Sequence, residues 1–542
     1  MNEESASVFE AFNNTAATSA ARPFLHIPAE ASKAYAPGAL DFTYGQALAE
    51  IQTLIPRYRG AGLGVGARIG LILENRPAFF LHWLALNAIG VSVVPLNGEA
   101  SAEDLAYIVD DSGLQFVVTL PERVEFGQKV MAVAKHPKPV LPSDSLAGIE
   151  AFTGPANAEM PGPDSECALL YTSGSTGKPK GCMLSNHYFW MAGDWYRRLG
   201  GLCTIHDGED RLLTPLPLVH MNALAVSTMV MILTGGCIIQ LDRFHPSSFW
   251  QTVKDSGATI IHYLGVMPAI LLQLAAAAND RAHKLRFGFG AGVNPKHHGP
   301  FETRFGLPLI EAWSMTEVGG AAPIIAHVEP RHIGTSCVGK PADDMEWQLV
   351  GDNGLQVAPG QPGELLVRRA RPDPRDGFFS GYFGNEAETN KVWEGNWFHT
   401  GDLLREGEDG ALHFVDRKKS IIRRAGENIS ALEVEAVLSQ LPGIKAVGVT
   451  PVPDDIRGEE VFAACLLEPG LIADLETATN FFRQAAESLT YYKLPGYIAF
   501  LDALPLTPSQ KLQRGEIKTL ARQLLAAGDA FDLRALKKKP RP

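Results

Sequence analysis

Leu169–Gly181, LLYTSGSTGKPKG, packs three glycines, five hydroxyl-bearing side chains and two lysines into thirteen residues, directly behind the apolar run Cys167-Ala168-Leu169-Leu170. An apolar strand entering such a loop suits a polyphosphate. Glycines let the backbone approach and take positive φ, and successive N–H groups form an anion nest. Hydroxyls donate further hydrogen bonds, and Lys178 and Lys180 supply charge. The spacing is not that of a Walker A loop, because Lys178 is followed by Pro179. A flexible Gly/Ser linker would need neither the flanking strand nor the lysines.

Outward from this loop, apolar strand-like runs alternate with helical stretches. Arg68–Leu73, Gly90–Val94 and Phe116–Leu120 read as buried strands, with Pro77–Ile89 as a helix between the first two. The pattern returns at strand Gly236–Leu241, helix Ser247–Ser256, strand Thr259–Tyr263 and the Ala-rich helix Pro268–Ala278. Such alternation predicts parallel sheets covered by helices. Val226–Ile239 is the most apolar run, but Thr228 and Thr234-Gly235-Gly236 break it, so it reads as buried helix followed by strand.

Around Trp347–Arg368 the pattern changes to short strands split by Gly/Pro turns, a smaller β unit. Strand Leu412–Val415 meets the charged stretch Asp416-Arg417-Lys418-Lys419, where a domain boundary is placed. Behind it, helix Ala431–Gln440, strands Ile444–Thr450 and Glu460–Leu467 and helix Ala478–Ser488 predict an independent α+β domain. The expected class is α/β: a large N-terminal domain over 1–416, a small C-terminal domain over 417–527 and a basic tail over 528–542. The closing KKKPRP, from Lys537, is expected to be a solvated, disordered end.

At 542 residues the chain exceeds what one core supports. A net charge of −12 argues against a general nucleic-acid binder. Six scattered cysteines with no CxxC pair suit a reduced, cytoplasmic protein. The acidic start MNEESASVFEAFNN shows no signal peptide, and no apolar run reaches the roughly 18–20 residues of a membrane span, so no integral membrane segment is expected.

The segment TSGSTGKPKG resembles the signature of the adenylate-forming superfamily of acyl-CoA synthetases, luciferases and peptide-synthetase adenylation domains. Six further segments match that superfamily in order, and the likeness runs from about residue 40 to about 520. The chain is most similar to carnitine/crotonobetaine-CoA ligase-type bacterial synthetases, through WFHTGDL, FVDRKKSIIRRAGENIS and PDDIRGEE.

The resemblance implies roles residue by residue. Thr172, Ser173, Gly174, Ser175, Thr176, Gly177, Lys178 and Lys180 would hold the phosphates of ATP, with the two lysines at the β- and γ-phosphates. In PLPLVHMN (215–222), His220 would form a wall of the acyl pocket. In EAWSMTEVG (311–319), Trp313 would lie against adenine, Thr316 would bond the α-phosphate and Glu317 would hold Mg²⁺. Asp402 would accept the ribose hydroxyls, Arg417 would make a second ribose contact and Lys419 would be the hinge of a mobile C-terminal lid. Gly426 would line the pantetheine tunnel, and Lys511 would be the catalytic lysine, although Gln510 replaces the small residue usual before it. Tyr263, Gly265, Val266, Gly290, Ala291 and Gly292 would complete the acyl pocket with His220 and Asn222. The glycines would leave room for a ring or a branch, Tyr263 and Trp313 could cap a short acid, and Asn222 suggests a polar substituent.

The implied activity is an acid–thiol ligase: a small or medium organic acid and ATP give an acyl-adenylate and pyrophosphate, and the CoA thiol then takes the acyl group. Met221 stands where amino-acid-activating relatives carry an aspartate for the ammonium group, which argues against an α-amino acid. Two alternatives stay open, a stand-alone ligase loading a carrier-protein thiol and a non-catalytic nucleotide-binding relative. The partners expected are the acid, ATP, Mg²⁺ and CoA, with a homodimer left open.

Overall fold

The computed structural model describes residues 5–152, 159–172, 179–424, 427–506 and 512–537, with backbone alone for Lys419 and Asn428. The chain divides into two compact units, residues 1–347 with 367–398 and residues 348–366 with 399–542.

The first unit is built on two sheets. In one, strands Glu166–Thr172, Ser92–Pro95, Arg68–Ile72, Val117–Thr119 and Val140–Pro142 are parallel neighbours in that order. Antiparallel strands Lys180–Ser185 and Gly381–Tyr382 extend the sheet beyond Glu166–Thr172. The other sheet runs Ile324–Ile325, Leu309–Trp313, Phe287–Ala291, Ile260–Leu264, Arg211–Thr214, Cys237–Gln240, Pro23–Ile27 and Leu40–Thr43, parallel except at its two edges. Strands buried on both faces read as continuous Val/Ile/Leu runs, and that is why the alternation was visible in sequence. Helix Pro77–Asn87 has no polar face and is buried nearly throughout, as such a helix must be. Its single titratable group, His82, accepts from Tyr58 Oη at Nδ1 (2.5 Å) and donates through Nε2 to the Ser143 carbonyl (3.1 Å). Burial holds this imidazole neutral, lowering its pKa to about 4.

The second unit holds most of a sheet in which strands Leu412–Arg417, Trp397–Glu406, Gly363–Arg369 and Met345–Val350 are neighbours in that order. A further sheet runs Glu427–Ser430, Ile421–Arg424, Gly458–Leu467, Tyr497–Leu501 and Phe531–Asp532, with Ile444–Asp454 also pairing Gly458–Leu467. Its core joins Ile422, Val434, Val461, Phe481 and Ile498.

Several elements differ from expectation for identifiable reasons. The Ala-rich helix spans Val266–Gln273 and not 268–278. Arg304, held by Asp280 (2.7 Å), donates to the carbonyls of Leu272, Leu274 and Ala275 at 2.8–3.0 Å and ends the helix against alanine's propensity. The helix expected at 478–488 is Leu475–Ala485, because Asp474 caps it by accepting from Thr477 N (2.8 Å). The run at 226–239 enters through a π-helix, Asn222–Ser227, before helix Thr228–Thr234 and strand Cys237–Gln240. Lys537, expected in a solvated tail, is buried: strand Phe531–Asp532 docks on Tyr497–Leu501, and the Lys537 side chain is 1% exposed.

Candidate active site

Residues 173–178, which hold Ser173, Gly174, Ser175, Thr176, Gly177 and Lys178, lie outside the described residues, as do Gly426 and Lys511. The root of the glycine loop is described. Thr172 pairs with Lys180 in antiparallel register, Tyr171 Oη donates to Asp111 (2.6 Å), and Tyr107 Oη donates to the Pro179 carbonyl (3.2 Å). Lys180 Nζ donates to Glu388 Oε2 (2.5 Å) and lies 4.9 Å from the centre of the Tyr382 ring. Tyr382 Oη in turn donates to Glu317 Oε1 (2.8 Å). One loop lysine, one aromatic ring and one carboxylate therefore form a continuous chain.

The segment carrying Glu317 is fixed from behind. Tyr188 Oη donates to the Thr316 carbonyl (2.9 Å), Phe379 N donates to the Glu317 carbonyl (3.0 Å) and Ser314 Oγ donates to the Gly319 carbonyl (2.9 Å). Gly319 has φ +56, and a Cβ there would sit 2.3 Å from the Tyr188 ring. Glycine is thus required at this turn. Glu317 is 6% exposed, and its charge adds to burial in pushing the neighbouring Cys182 thiol well above its ordinary pKa. Trp313 ends strand Leu309–Trp313 and is also buried. Tyr382, Glu388 and Tyr188 escaped sequence reading: each lies at least 65 residues from its partner, and none sits in a recognisable motif.

Of the residues expected around the acyl group, Tyr263, Gly290 and Ala291 lie on adjoining strands. Tyr263 and Gly290 are register partners, as are Leu264 and Ala291. Gly265 N donates to the Ala291 carbonyl (3.0 Å). The glycines have a different reason from the one expected. A Cβ on Gly265 would fall 1.7 Å from the Gly292 carbonyl oxygen, and one on Gly290 would fall 2.3 Å from the Tyr263 carbonyl oxygen. Backbone packing, not room for a substrate, demands glycine at those two positions. Gly292 needs it for φ +78, and a Cβ there would meet open space. The Tyr263 hydroxyl is committed: it donates to Glu311 Oε1 (2.9 Å) and to the Ile310 carbonyl (3.1 Å).

Glu311 is the residue that sequence reading missed here. It is 4% exposed and accepts from Gly292 N (2.9 Å) and Val293 N (3.2 Å), so it pins the loop that follows Ala291. Burial raises its pKa despite these donors. Val266 is exposed at the start of its helix, and His220 is exposed just before the π-helix. Asn222 Oδ1 meets Nδ1 of the buried His262 at 2.8 Å.

In the second unit, Asp402 and Arg417 are register partners, with Asp402 Oδ1 3.6 Å from Arg417 Nε. Asp402 is 8% exposed, whereas the Arg417 side chain is 70% exposed. Lys418 pairs with Glu364 (2.7 Å). Asp416, at the expected boundary, is 1% exposed and accepts from Ser430 Oγ (2.8 Å) and Leu432 N (3.1 Å). The segment that carries Lys511 is closed at its base by the bridge Leu506↔Leu512 and by Gln513 N donating to the Pro505 carbonyl (3.0 Å). The hairpin that carries Gly426 rests on Arg424, whose Nε donates to both oxygens of Glu460 (2.8 and 2.9 Å), while Lys537 Nζ donates to Glu460 Oε1 (2.6 Å).

Known proteins carry the same pattern. The model of the AMP-binding enzyme family matches residues 19–383, and that of the AMP-binding enzyme C-terminal domain matches residues 433–511. The crotonobetaine/carnitine–CoA ligase of Salmonella arizonae is 27% identical over 498 residues, covering 88% of this chain and 93% of that protein. The sulfoacetate–CoA ligase of Cupriavidus necator is 30% identical over 483 residues, covering 87% and 91%. The fold matches that of o-succinylbenzoate CoA synthetase from Bacillus subtilis, solved with its acyl-adenylate intermediate, with a TM-score of 0.79 at 23% identity over 94% of this chain and 97% of that one.

Proposed function

We infer that this chain, which belongs to the AMP-binding enzyme family, is an ATP-dependent carboxylate–CoA ligase acting on a small or medium organic acid. A carboxylate is a poor electrophile at neutral pH. Its oxygen attacks the α-phosphorus of ATP, a new P–O bond forms and pyrophosphate leaves. The CoA thiolate then attacks the acyl carbon, and AMP departs with its electron pair.

The observation that carries this reading is the chain Lys180–Tyr382–Glu317 beside the glycine loop. It sets a cation and a carboxylate at a loop suited to phosphate. Glu317 accepts from Tyr382 through Oε1, and its carboxylate is a hard donor that fits Mg²⁺, an ion usually held by one or two carboxylates together with substrate phosphates. Bound there, Mg²⁺ would neutralise phosphate charge. Thr316, the loop hydroxyls, Lys178 and Lys180 bind the phosphates, and Trp313 lies against adenine. Asp402 and Arg417 take the ribose. Lys511 stabilises the charge that builds at the α-phosphate, and Gly426 admits the pantetheine arm. Since Lys511 and Gly426 share the C-terminal segment but serve different steps, that segment reorients about Lys419 between them.

On the acyl side, His220, Asn222, Val266 and the backbone of Ala291 and Gly292 meet the acid, and Glu311 holds the Gly292–Val293 turn in place. The six cysteines are buried and none is in a disulfide, in keeping with a cytoplasmic enzyme. Separate half-reactions test the assignment. Lys511→Ala should abolish acid-dependent pyrophosphate exchange yet spare thioester formation from a supplied acyl-adenylate, and Gly426→Trp should do the reverse. Equal loss of both steps in either variant would contradict the two-step division. CoA should outcompete a carrier-protein thiol as acceptor.

A further inference from the structure

Two buried polar side chains, His262 and Ser227, meet Asn222 where the chain enters the π-helix Asn222–Ser227, and a third, Tyr196, stands behind His262. His262 lies on strand Ile260–Leu264 and is fully buried, and burial alone lowers its pKa to about 3, so its ring is neutral and carries one proton. Nε2 of His262 lies 3.1 Å from Tyr196 Oη, while Nδ1 lies 2.8 Å from Asn222 Oδ1 and 2.9 Å from Ser227 Oγ. The Ser227 hydroxyl donates to the Asn222 carbonyl (3.0 Å). Single-turn π-helices occur mostly as bulges and frequently at functional sites.

Counting protons fixes the orientation of every group. The Tyr196 hydroxyl is fully buried, and His262 Nε2 is the acceptor it meets among the described residues. If Nε2 carried the imidazole proton, the Tyr196 hydrogen would be a buried orphan, which folded proteins avoid. Nε2 therefore accepts, the ring proton sits on Nδ1, and Nδ1–H needs acceptors. Ser227 Oγ can accept because its own proton goes to the Asn222 carbonyl, and Asn222 must turn Oδ1 inward. The Asn222 amide nitrogen then faces away from His262. Among the described residues no acceptor takes its two hydrogens, and it is not one of the enclosed, unpartnered side-chain nitrogens such as those of Trp83 and Trp190.

We propose that Tyr196 and His262 lock Asn222 as a hydrogen-bond donor to the acyl substrate, so that the enzyme selects acids bearing a second acceptor: a hydroxyl, carbonyl, sulfonate or further carboxylate. This rests on the ligase reading, which sets Asn222 at the acyl site. Asn222 touches the substrate directly and determines specificity; His262 and Tyr196 are positioning residues. An acceptor is favoured over a cation because the lock presents N–H and hides the carbonyl oxygen.

The test is a panel of matched acid pairs, each with and without the second acceptor at equal chain length, followed by ATP–pyrophosphate exchange. The wild-type enzyme should favour the acceptor-bearing member by tenfold or more in kcat/KM. Asn222→Asp keeps an oxygen for His262 but replaces the outward N–H groups by an acceptor. It should collapse or invert that ratio through KM for the acid, with KM for ATP within about twofold of wild type. Tyr196→Phe lets the imidazole change tautomer and the amide flip, and it should lower the same ratio by a smaller factor. Acid-dependent exchange with an unchanged ratio in both variants would overturn the lock and leave the ligase reading intact. Exchange with no acid in the panel would overturn the ligase reading and this inference with it.

Discussion

The strand pairs that flank the glycine loop and Gly426 are built on opposite electrostatic plans at their roots. At the first, Lys180 and Glu388 keep 13% and 25% of their side chains exposed and meet beside an aromatic ring, with Lys391 3.6 Å from the other Glu388 oxygen. At the second, Arg424 and Glu460 are 6% and 0% exposed, Lys537 is 1% exposed, and Glu460 takes hydrogen bonds from both cations and from Val461 N (2.9 Å). A partly exposed pair is weaker and more exchangeable than a buried, multiply bonded charge, whose members are strongly interdependent. The first root can therefore release its lysine, as the proposed phosphate role requires. The second can release nothing without exposing an unpaired buried charge, so it is scaffold.

That contrast can be broken by mutation. Glu460→Gln leaves Arg424 and Lys537 as neighbouring buried cations and should cost the second unit about 3–5 kcal/mol, read as a lowered urea midpoint. A loss below about 1 kcal/mol would erase the difference between the roots. Lys180→Ala should leave the melting temperature nearly unchanged but raise KM for ATP by roughly 10- to 100-fold, the loss of one charge-assisted contact of about 1.5–3 kcal/mol. Glu388→Gln should act in the opposite sense and more weakly. It frees Lys180, and KM for ATP should fall by up to about fivefold, within the 0–1 kcal/mol of an exposed pair. A rise in KM for ATP would show that Glu388 orients Lys180 and does not compete for it.

Acid separates the two units in a further way. His82 and His262 in the first unit are buried neutral, with pKa values lowered to about 4 and about 3 from an ordinary 6.5. The folded state thus binds fewer protons than the unfolded chain between those limits. Their contribution to stability is full above pH 6.5 and is lost as pH falls toward 4 and below. The first unit should unfold at a higher pH than the second on acid titration, followed by intrinsic fluorescence. His82→Gln should flatten the slope between pH 6.5 and 4.

Much of the fold was legible because buried parallel strands are written as uninterrupted apolar runs, and helix Pro77–Asn87 as a helix without a polar face. Membership of the AMP-binding enzyme family was legible because TSGSTGKPKG and EAWSMTEVG keep their residue types and spacing together in the sequence. What stayed hidden comes from distant sequence. Tyr382 reaches Glu317 across 65 residues, Glu388 reaches Lys180 across 208, and Lys537 reaches Glu460 across 77. A charged residue near a chain end reads as solvated until its partner is known, and so Lys537 was misplaced. The reason for Gly265 and Gly290 was hidden likewise, since only the packed strands show which carbonyl a Cβ would strike.

The central claim, that this chain activates a carboxylate through an adenylate before thiol transfer, is tested most directly by ATP–pyrophosphate exchange without CoA. Exchange that depends on the added acid, followed on adding CoA by AMP and thioester in equal amounts, is the predicted result. Formation of ADP, or exchange that ignores the acid, would contradict it.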